Sequence, residues 1–276
     1  LKAHQDRLTV VVRAGAGSGK TETITQACRS IGEKYGFKGI LCISHTNTSV
    51  HVFRNRLNVD ENITHTIHSL ANNSTKSIKP MESYSDEGLD FDSMLDDFIS
   101  VLKNPNVPLS FYDILQDVQL IIIDEFQDTA AKQFEIVCLL RQKLSCGLVT
   151  VCDLAQGIFG FQGADVNNAI SLQNEPGTLN LELPNNYRSD HRIVWHANRL
   201  GTNYIPIDGL VWMEPMRFRN SSSKASYPLQ YQCFNKDEFM YKAAMEWIIS
   251  KRQEGLLFSG DKLTIRQKDK KWFCYD

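Results

Sequence analysis

Eight residues near the start constrain this chain more than any others: Ala14-Gly15-Ala16-Gly17-Ser18-Gly19-Lys20-Thr21. They follow the apolar run Leu8-Thr9-Val10-Val11-Val12 and open a stretch whose apolar residues, Ile24, Ala27, Cys28 and Ile31, recur at helical spacing. Strand, glycine-rich turn and helix, in that order, is the setting of a phosphate-binding loop. Glycines at 15, 17 and 19 let successive backbone N–H groups turn inward. A helix starting near Lys20 aims its partial positive end at the same anion. In that setting Lys20 reaches the β- and γ-phosphates of a nucleotide and the Thr21 hydroxyl ligates Mg²⁺. Ala14 stands where many such loops begin with glycine.

The rest of the chain supplies strands for an α/β fold. Residues 39–43 and 147–151 are short apolar runs that suit buried parallel strands. Residues 118–123 are almost uninterrupted and β-branched, as a central parallel strand requires. Residues 179–183 alternate like a strand. Helical spacing joins Val50, Phe53 and Leu57 behind a cap at Asn47 or Thr48. It also joins Phe98, Ile99 and Leu102 ahead of Pro105 and Pro108, then Phe134, Val137, Leu140 and Leu144, and then Ile193, Val194 and Ala197. Residues 72–86 read as a loop, 220–226 as another, 237–253 as a helix and 258–265 as a last strand.

Chemistry-bearing residues fall where these strands end. Asp124 and Glu125 close the central strand; beside a phosphate loop the first holds the Mg²⁺ shell and the second orients or deprotonates water. Alone, the pair would read as an acidic turn. Gln156, after the 147–151 strand, is placed to sense a γ-phosphate. Phe161 is either a stacking platform for a base or a packing residue. Tyr187 and Arg188 offer a ring for adenine and a charge for the γ-phosphate, or are surface turn residues. Gln5 is a solvated glutamine or a reader of an adenine edge. His65 and His68 sit in a hydroxyl-and-imidazole cluster that suits phosphates better than a metal, because no carboxylate or thiol lies close in sequence.

Composition sets outer limits. A length of 276 residues implies one large or two modest domains, and 42% apolar content builds a core. A net charge of −2 argues against a chain-wide grip on nucleic acid, so such contact must come from a local patch. The 7 cysteines form no CxxC pair; Cys138, Cys146 and Cys152 read as core residues, and a reducing, intracellular setting fits. No apolar run has the length of a membrane span, and no signal-peptide pattern opens the chain. The first residue is Leu1, so the chain is expected to be a piece of a longer one.

The ordered set AGAGSGKT, SHTNTSVHVFRNRL, THTIHSL, LDFDSML, IIIDEFQDT, CDLAQGIFGFQGAD and LPNNYRS resembles the UvrD/Rep-type superfamily 1 DNA helicases over nearly the whole chain. The resemblance implies a RecA-like parallel sheet flanked by helices over 1–183 and the start of a second RecA-like domain over 184–276. It implies ATP hydrolysis with Mg²⁺, coupled to movement on single-stranded DNA with 3′→5′ polarity, and replication or repair partners. It assigns Lys20 and Thr21 to phosphate and Mg²⁺, Asp124 to Mg²⁺, Glu125 to water, Gln156 and Arg188 to the γ-phosphate, and Tyr187 and Gln5 to adenine. Thr46, Asn47, Thr66, His68 and Phe161 become DNA contacts. The chain departs from the pattern at four points: Glu22 replaces an arginine that stacks on adenine, His45 a phenylalanine, Gln162 an arginine, and the helical insertion after Ser69 is reduced. The spacing from Gln5 to the loop is also short, and the later motifs would lie beyond Asp276. Two further readings are a helicase-derived module that binds nucleotide or DNA without unwinding, and the helicase subunit of a helicase–nuclease.

Overall fold

Alternation within each apolar run decides which helical layer each residue meets. In β4 (Leu120–Ile123), Ile121 and Ile123 face one side of the sheet while Leu120 and Ile122 face the other. The same split holds in β2 (Ile40–Ile43) and in β1 (Thr9–Ala14), where Val11 faces away from Val10 and Val12. A strand buried on both faces has no polar side to show, which is why Val10–Val12, Ile40–Ile43 and Leu120–Ile123 are unbroken apolar runs. The computed structural model describes residues 2–58, 63–76, 91–107, 114–189, 191–204, 217–218, 264–268 and 271–275, with 242, 246 and 250 as isolated helical positions.

The chain divides into two units, Leu1–Ala225 and Ser226–Asp276. The first is built on six parallel strands in the order β3-β2-β4-β5-β1-β6, with β3 at Thr64–His65, β5 at Gly147–Cys152 and β6 at Leu179–Leu183. One face is covered by α2 (Lys20–Tyr35) and α3 (Asn47–Leu57), through Ile24, Cys28, Ile31, Phe53 and Leu57. The short α1 (Lys2–Gln5) joins that layer through Ala3. The other face is covered by α4 (Ile67–Lys76), α5 (Phe91–Lys103), α6 (Ala131–Leu144) and α7 (Asn167–Asn174), with Phe98, Ile136 and Leu140 fully buried. This three-layer α/β architecture is the RecA-like sheet that the sequence implied.

Several boundaries moved. Thr46, not Asn47 or Thr48, caps α3: its hydroxyl accepts the Ser49 N–H at 3.1 Å. Residues 72–76, expected in a loop, continue α4, which buries Leu70 and Ala71 against the sheet. Cys146 and Cys152 are core residues as expected, but Cys138 is exposed, because it lies on the outward side of α6. Past β6, β7 (Asn185–Asn186) pairs in parallel with β8 (Arg217–Phe218), and α8 (His191–Tyr204) follows the turn at 187–189. The second unit contains an antiparallel hairpin of β9 (Thr264–Lys268) and β10 (Lys271–Tyr275). The loops expected at 77–86 and 220–226 and most of the 237–253 helix lie outside the described residues. Among the described residues no helix is long and apolar enough to cross a membrane.

Candidate active site

Parallel strands end at one edge of the sheet, and open α/β sheets place ligands there. The turn after β1 is the phosphate loop. Gly17 and Gly19 take φ of 72° and 87°, left-handed values that a side chain resists, and Gly19 is the residue from which α2 starts. Ser18 closes the loop on itself, its hydroxyl donating to the Gly15 carbonyl at 2.7 Å and its N–H to the same oxygen at 3.2 Å. Lys20 and Thr21 thereby stand in the first turn of α2, at its positive end.

The turn after β4 brings the acids to this loop. Lys20 Nζ lies 3.1 Å from Glu125 Oε2, and Thr21 Oγ1 lies 3.4 Å from Asp124 Oδ2. Glu125 itself sits in the left-handed region, at φ 52° and ψ 45°, with its N–H donating to Asp124 Oδ1 at 3.0 Å. A non-glycine residue there is strained, and such strain collects at functional sites. Burial, then the neighbouring Glu125 charge, pushes the Asp124 carboxyl up to about 6, against the pull of the Glu125 N–H, Lys20 and Thr21. A divalent cation reverses that balance. The hydroxyl of Thr21 and the carboxylate of Asp124 are hard oxygen donors, and two protein ligands with the remainder from phosphate and water is how Mg²⁺ is commonly held. These residues fit Mg²⁺.

Behind the acids lies a residue to which sequence reasoning gave no role. Gln127 is 1% exposed; its amide donates to Glu125 Oε2 at 2.9 Å while its carbonyl accepts the Asp153 N–H at 3.0 Å. It ties the ends of β4 and β5 together. Asp153 is buried, which raises its carboxyl, while the nearby Lys20 charge pulls it down. Gln156 stands on the 3₁₀ turn that Asp153 caps, half-buried, with no side-chain hydrogen bond into the acid cluster. The segment after β6 closes the other flank. Tyr187 donates its N–H to the Gly17 carbonyl at 2.8 Å, and Asn186, only 2% exposed, donates to the Ala16 carbonyl at 2.8 Å. Tyr187 and Arg188 are exposed beside the loop. Asn186 too was missed; the one available signal was a polar amide inside the NNYRS stretch.

One expected nucleotide residue is not placed with the rest. Gln5 donates to the Tyr35 hydroxyl at 2.7 Å. Tyr35 ends α2, about 22 Å along the helix axis from Lys20 at about 1.5 Å per residue. That is the opposite edge of the sheet, so Gln5 does not read an adenine whose phosphates lie on the loop. Glu22 accepts from Gln26 at 2.8 Å and pairs with Arg56 of α3 at 3.7 Å, and so is engaged along the outer helices.

The candidate DNA residues share the same edge, farther along it. Thr46 and Asn47 are exposed after β2, while Thr66 is buried as the cap of α4, accepting the Ser69 N–H at 3.1 Å. Burial and the adjacent His45 lower the His68 pKa. His45, Phe159 and Phe161 form a row, with ring centroids 6.5 Å and 6.0 Å apart, that ends in a Phe161 ring 81% exposed. A small cavity of mixed lining, with Ser44, His45, His68 and Asp124 beside Ile43, Ile67 and Ile123, lies between this row and the acids.

Glycine loop, helix start, and two acids at the end of β4, separated from β1 by β5, define a P-loop nucleotide-binding protein of the RecA-like, parallel-sheet class. Residues 2–80 and 71–177 match the UvrD/REP helicase N-terminal domain, and the chain belongs to that family. Its relatives include the ATP-dependent DNA helicase PcrA of Staphylococcus epidermidis (strain ATCC 35984), 35% identical over 115 residues that make up 41% of this chain and 15% of that protein. PcrA of Staphylococcus aureus (strain Mu50) is 35% identical over 118 residues, 42% of this chain and 16% of that protein. The match therefore spans a small part of these relatives. Among solved structures, the Pif1 helicase of Candida albicans overlays 75% of this chain and 44% of its own with a TM-score of 0.47 and 18% identity. Bacteroides Pif1 in complex with ADP-AlF3 and single-stranded DNA overlays 95% of this chain and 57% of its own with a TM-score of 0.39 and 18% identity.

Proposed function

We propose that this chain is the ATP-hydrolysing portion of a superfamily 1 DNA helicase, with a first RecA-like lobe over 1–183 and the beginning of a second over 184–276. The observation that carries this reading is the gathering of Lys20, Thr21, Asp124 and Glu125 at one strand edge from points more than a hundred residues apart. Loop amides and Lys20 bind the phosphates. Thr21 and Asp124 hold Mg²⁺, which supplies charge neutralisation at the β- and γ-phosphates. Glu125 accepts a proton from the attacking water, Gln156 and Arg188 approach the γ-phosphate, and Tyr187 offers its exposed ring to adenine. Single-stranded DNA lies on Thr46, Asn47, His68 and the exposed Phe161 ring, with Thr66 shaping the turn beneath. Movement in the 3′→5′ sense follows the family resemblance.

The test is Mg²⁺-dependent ATPase activity with and without single-stranded oligonucleotide. The expected result is hydrolysis that DNA stimulates and Lys20→Ala abolishes. Hydrolysis at an unchanged rate in Lys20→Ala would remove this site from the reaction. ATP binding without turnover, with or without DNA, would favour a non-catalytic binding module.

A further inference from the structure

The strand-end turn at Asn186 does more than lead out of the sheet. Its side-chain amide is buried and uses both ends: Nδ2 donates to the Ala16 carbonyl at 2.8 Å, while Oδ1 accepts from the Arg188 N–H at 2.9 Å and the Ser189 N–H at 2.8 Å. Beside it, the Tyr187 N–H donates to the Gly17 carbonyl at 2.8 Å. Two successive peptide planes of the phosphate loop are thus gripped from outside. In a trans peptide the C=O and N–H point in opposite directions. Holding the Ala16 carbonyl toward Asn186 therefore turns the Gly17 N–H to the opposite side of the loop. Holding the Gly17 carbonyl fixes the next peptide, whose N–H returns to Gly15.

Contact here is close enough to exclude even a methyl group. A Cβ on Gly17 would come within 2.9 Å of Arg188 Cβ and 3.0 Å of the Asn186 amide atoms. The first side-chain carbon of Arg188 and the Asn186 amide therefore rest on the loop itself.

We propose that Asn186 is a positioning residue that locks the phosphate loop and the Arg188 turn into one unit, so that the protein's preference for a nucleoside triphosphate over a diphosphate depends on it. This rests on the nucleotide reading above. One half of the amide sets the cradle that any nucleotide uses. The other half sets the turn from which the Arg188 guanidinium reaches the terminal phosphate.

The test compares binding of a non-hydrolysable ATP analogue and of ADP, each with Mg²⁺, to the full chain, with the thermal midpoint as a check on folding. Asn186→Ala should weaken ADP modestly and the triphosphate by about a further tenfold, the size of one charge-assisted contact. Asn186→Ser can still accept from N–H groups two and three residues on. It should retain the triphosphate preference while weakening both nucleotides alike, because it no longer reaches Ala16. Adding Arg188→Ala to Asn186→Ala should change the preference no further. Equal weakening of both nucleotides in Asn186→Ala, or unaltered binding in Asn186→Ser, would overturn the proposal. Failure of the unmodified chain to bind either nucleotide better than Lys20→Ala would overturn the functional reading and this inference with it.

Discussion

Lys20 Nζ and Glu125 Oε2 are 3.1 Å apart, and the lysine side chain is 9% exposed against 32% for the glutamate. The proposed phosphate-binding cation and the proposed base therefore stand within ion-pair distance of each other. A phosphate bound at the loop would compete with Glu125 for Lys20. The ion pair keeps a buried ammonium from standing alone, which would be costly.

Glu125→Gln should therefore keep ATP binding, and tighten it slightly, because Lys20 no longer has a competing carboxylate. Turnover should fall by about 10²- to 10⁴-fold, the usual contribution of a general base. Equilibrium binding of a fluorescent ATP analogue and single-turnover hydrolysis measure the two effects separately.

Asp124 carries the pH dependence. Its folded value of about 6 lies above the ordinary 3.8, so the folded protein without metal holds this proton more tightly than the unfolded chain does. The stability it contributes is full below the ordinary value and is lost as pH rises through about 6. Asp124→Asn should raise the thermal midpoint at pH 7.5 in metal-free buffer while removing Mg²⁺-dependent hydrolysis. Mg²⁺-dependent nucleotide binding in the unmodified protein should weaken as pH falls below about 6, and that dependence should vanish in Asp124→Asn. Calorimetric titration across pH 5 to 8 checks both.

Gln127 joins Glu125 to the Asp153 backbone from a fully buried position. Gln127→Leu keeps the bulk and leaves the Asp153 N–H without its partner. It should cost about 1–3 kcal/mol, the cost of an unsatisfied buried donor. Urea unfolding measures the loss, and the turnover rate should drop with it because Glu125 loses its orienting contact.

Phe161 is 81% exposed at the end of the aromatic row. Phe161→Ala should leave the thermal midpoint unchanged and weaken single-stranded DNA binding by about 1–3 kcal/mol, the value of one stacked base. Fluorescence anisotropy with a labelled oligonucleotide reads this. A large loss of stability with unaltered DNA binding would mean that the ring packs within the protein instead.

The sheet was legible because its central strands are buried on both faces: runs such as 118–123 have no alternative use for so many β-branched residues. The phosphate loop was legible because its glycines and lysine perform their task through local backbone geometry, at fixed sequence spacing. Asp124 and Glu125 could be read beside it, since an acidic pair closing a central strand has a known use there. Other features depended on what the chain meets when it folds back. Nothing in the residues 5–14 shows that Gln5 is tied to Tyr35 at the far edge of the sheet. Nothing local shows that Gln127 and Asn186 act as struts, because each bonds a backbone group from a distant segment, the Asp153 N–H just past β5 and the Ala16 carbonyl of the phosphate loop. Local conformation and burial pattern are properties of consecutive residues and so are written in the sequence. The partners of a buried amide are chosen by the packing of distant segments, and only the tertiary structure decides them.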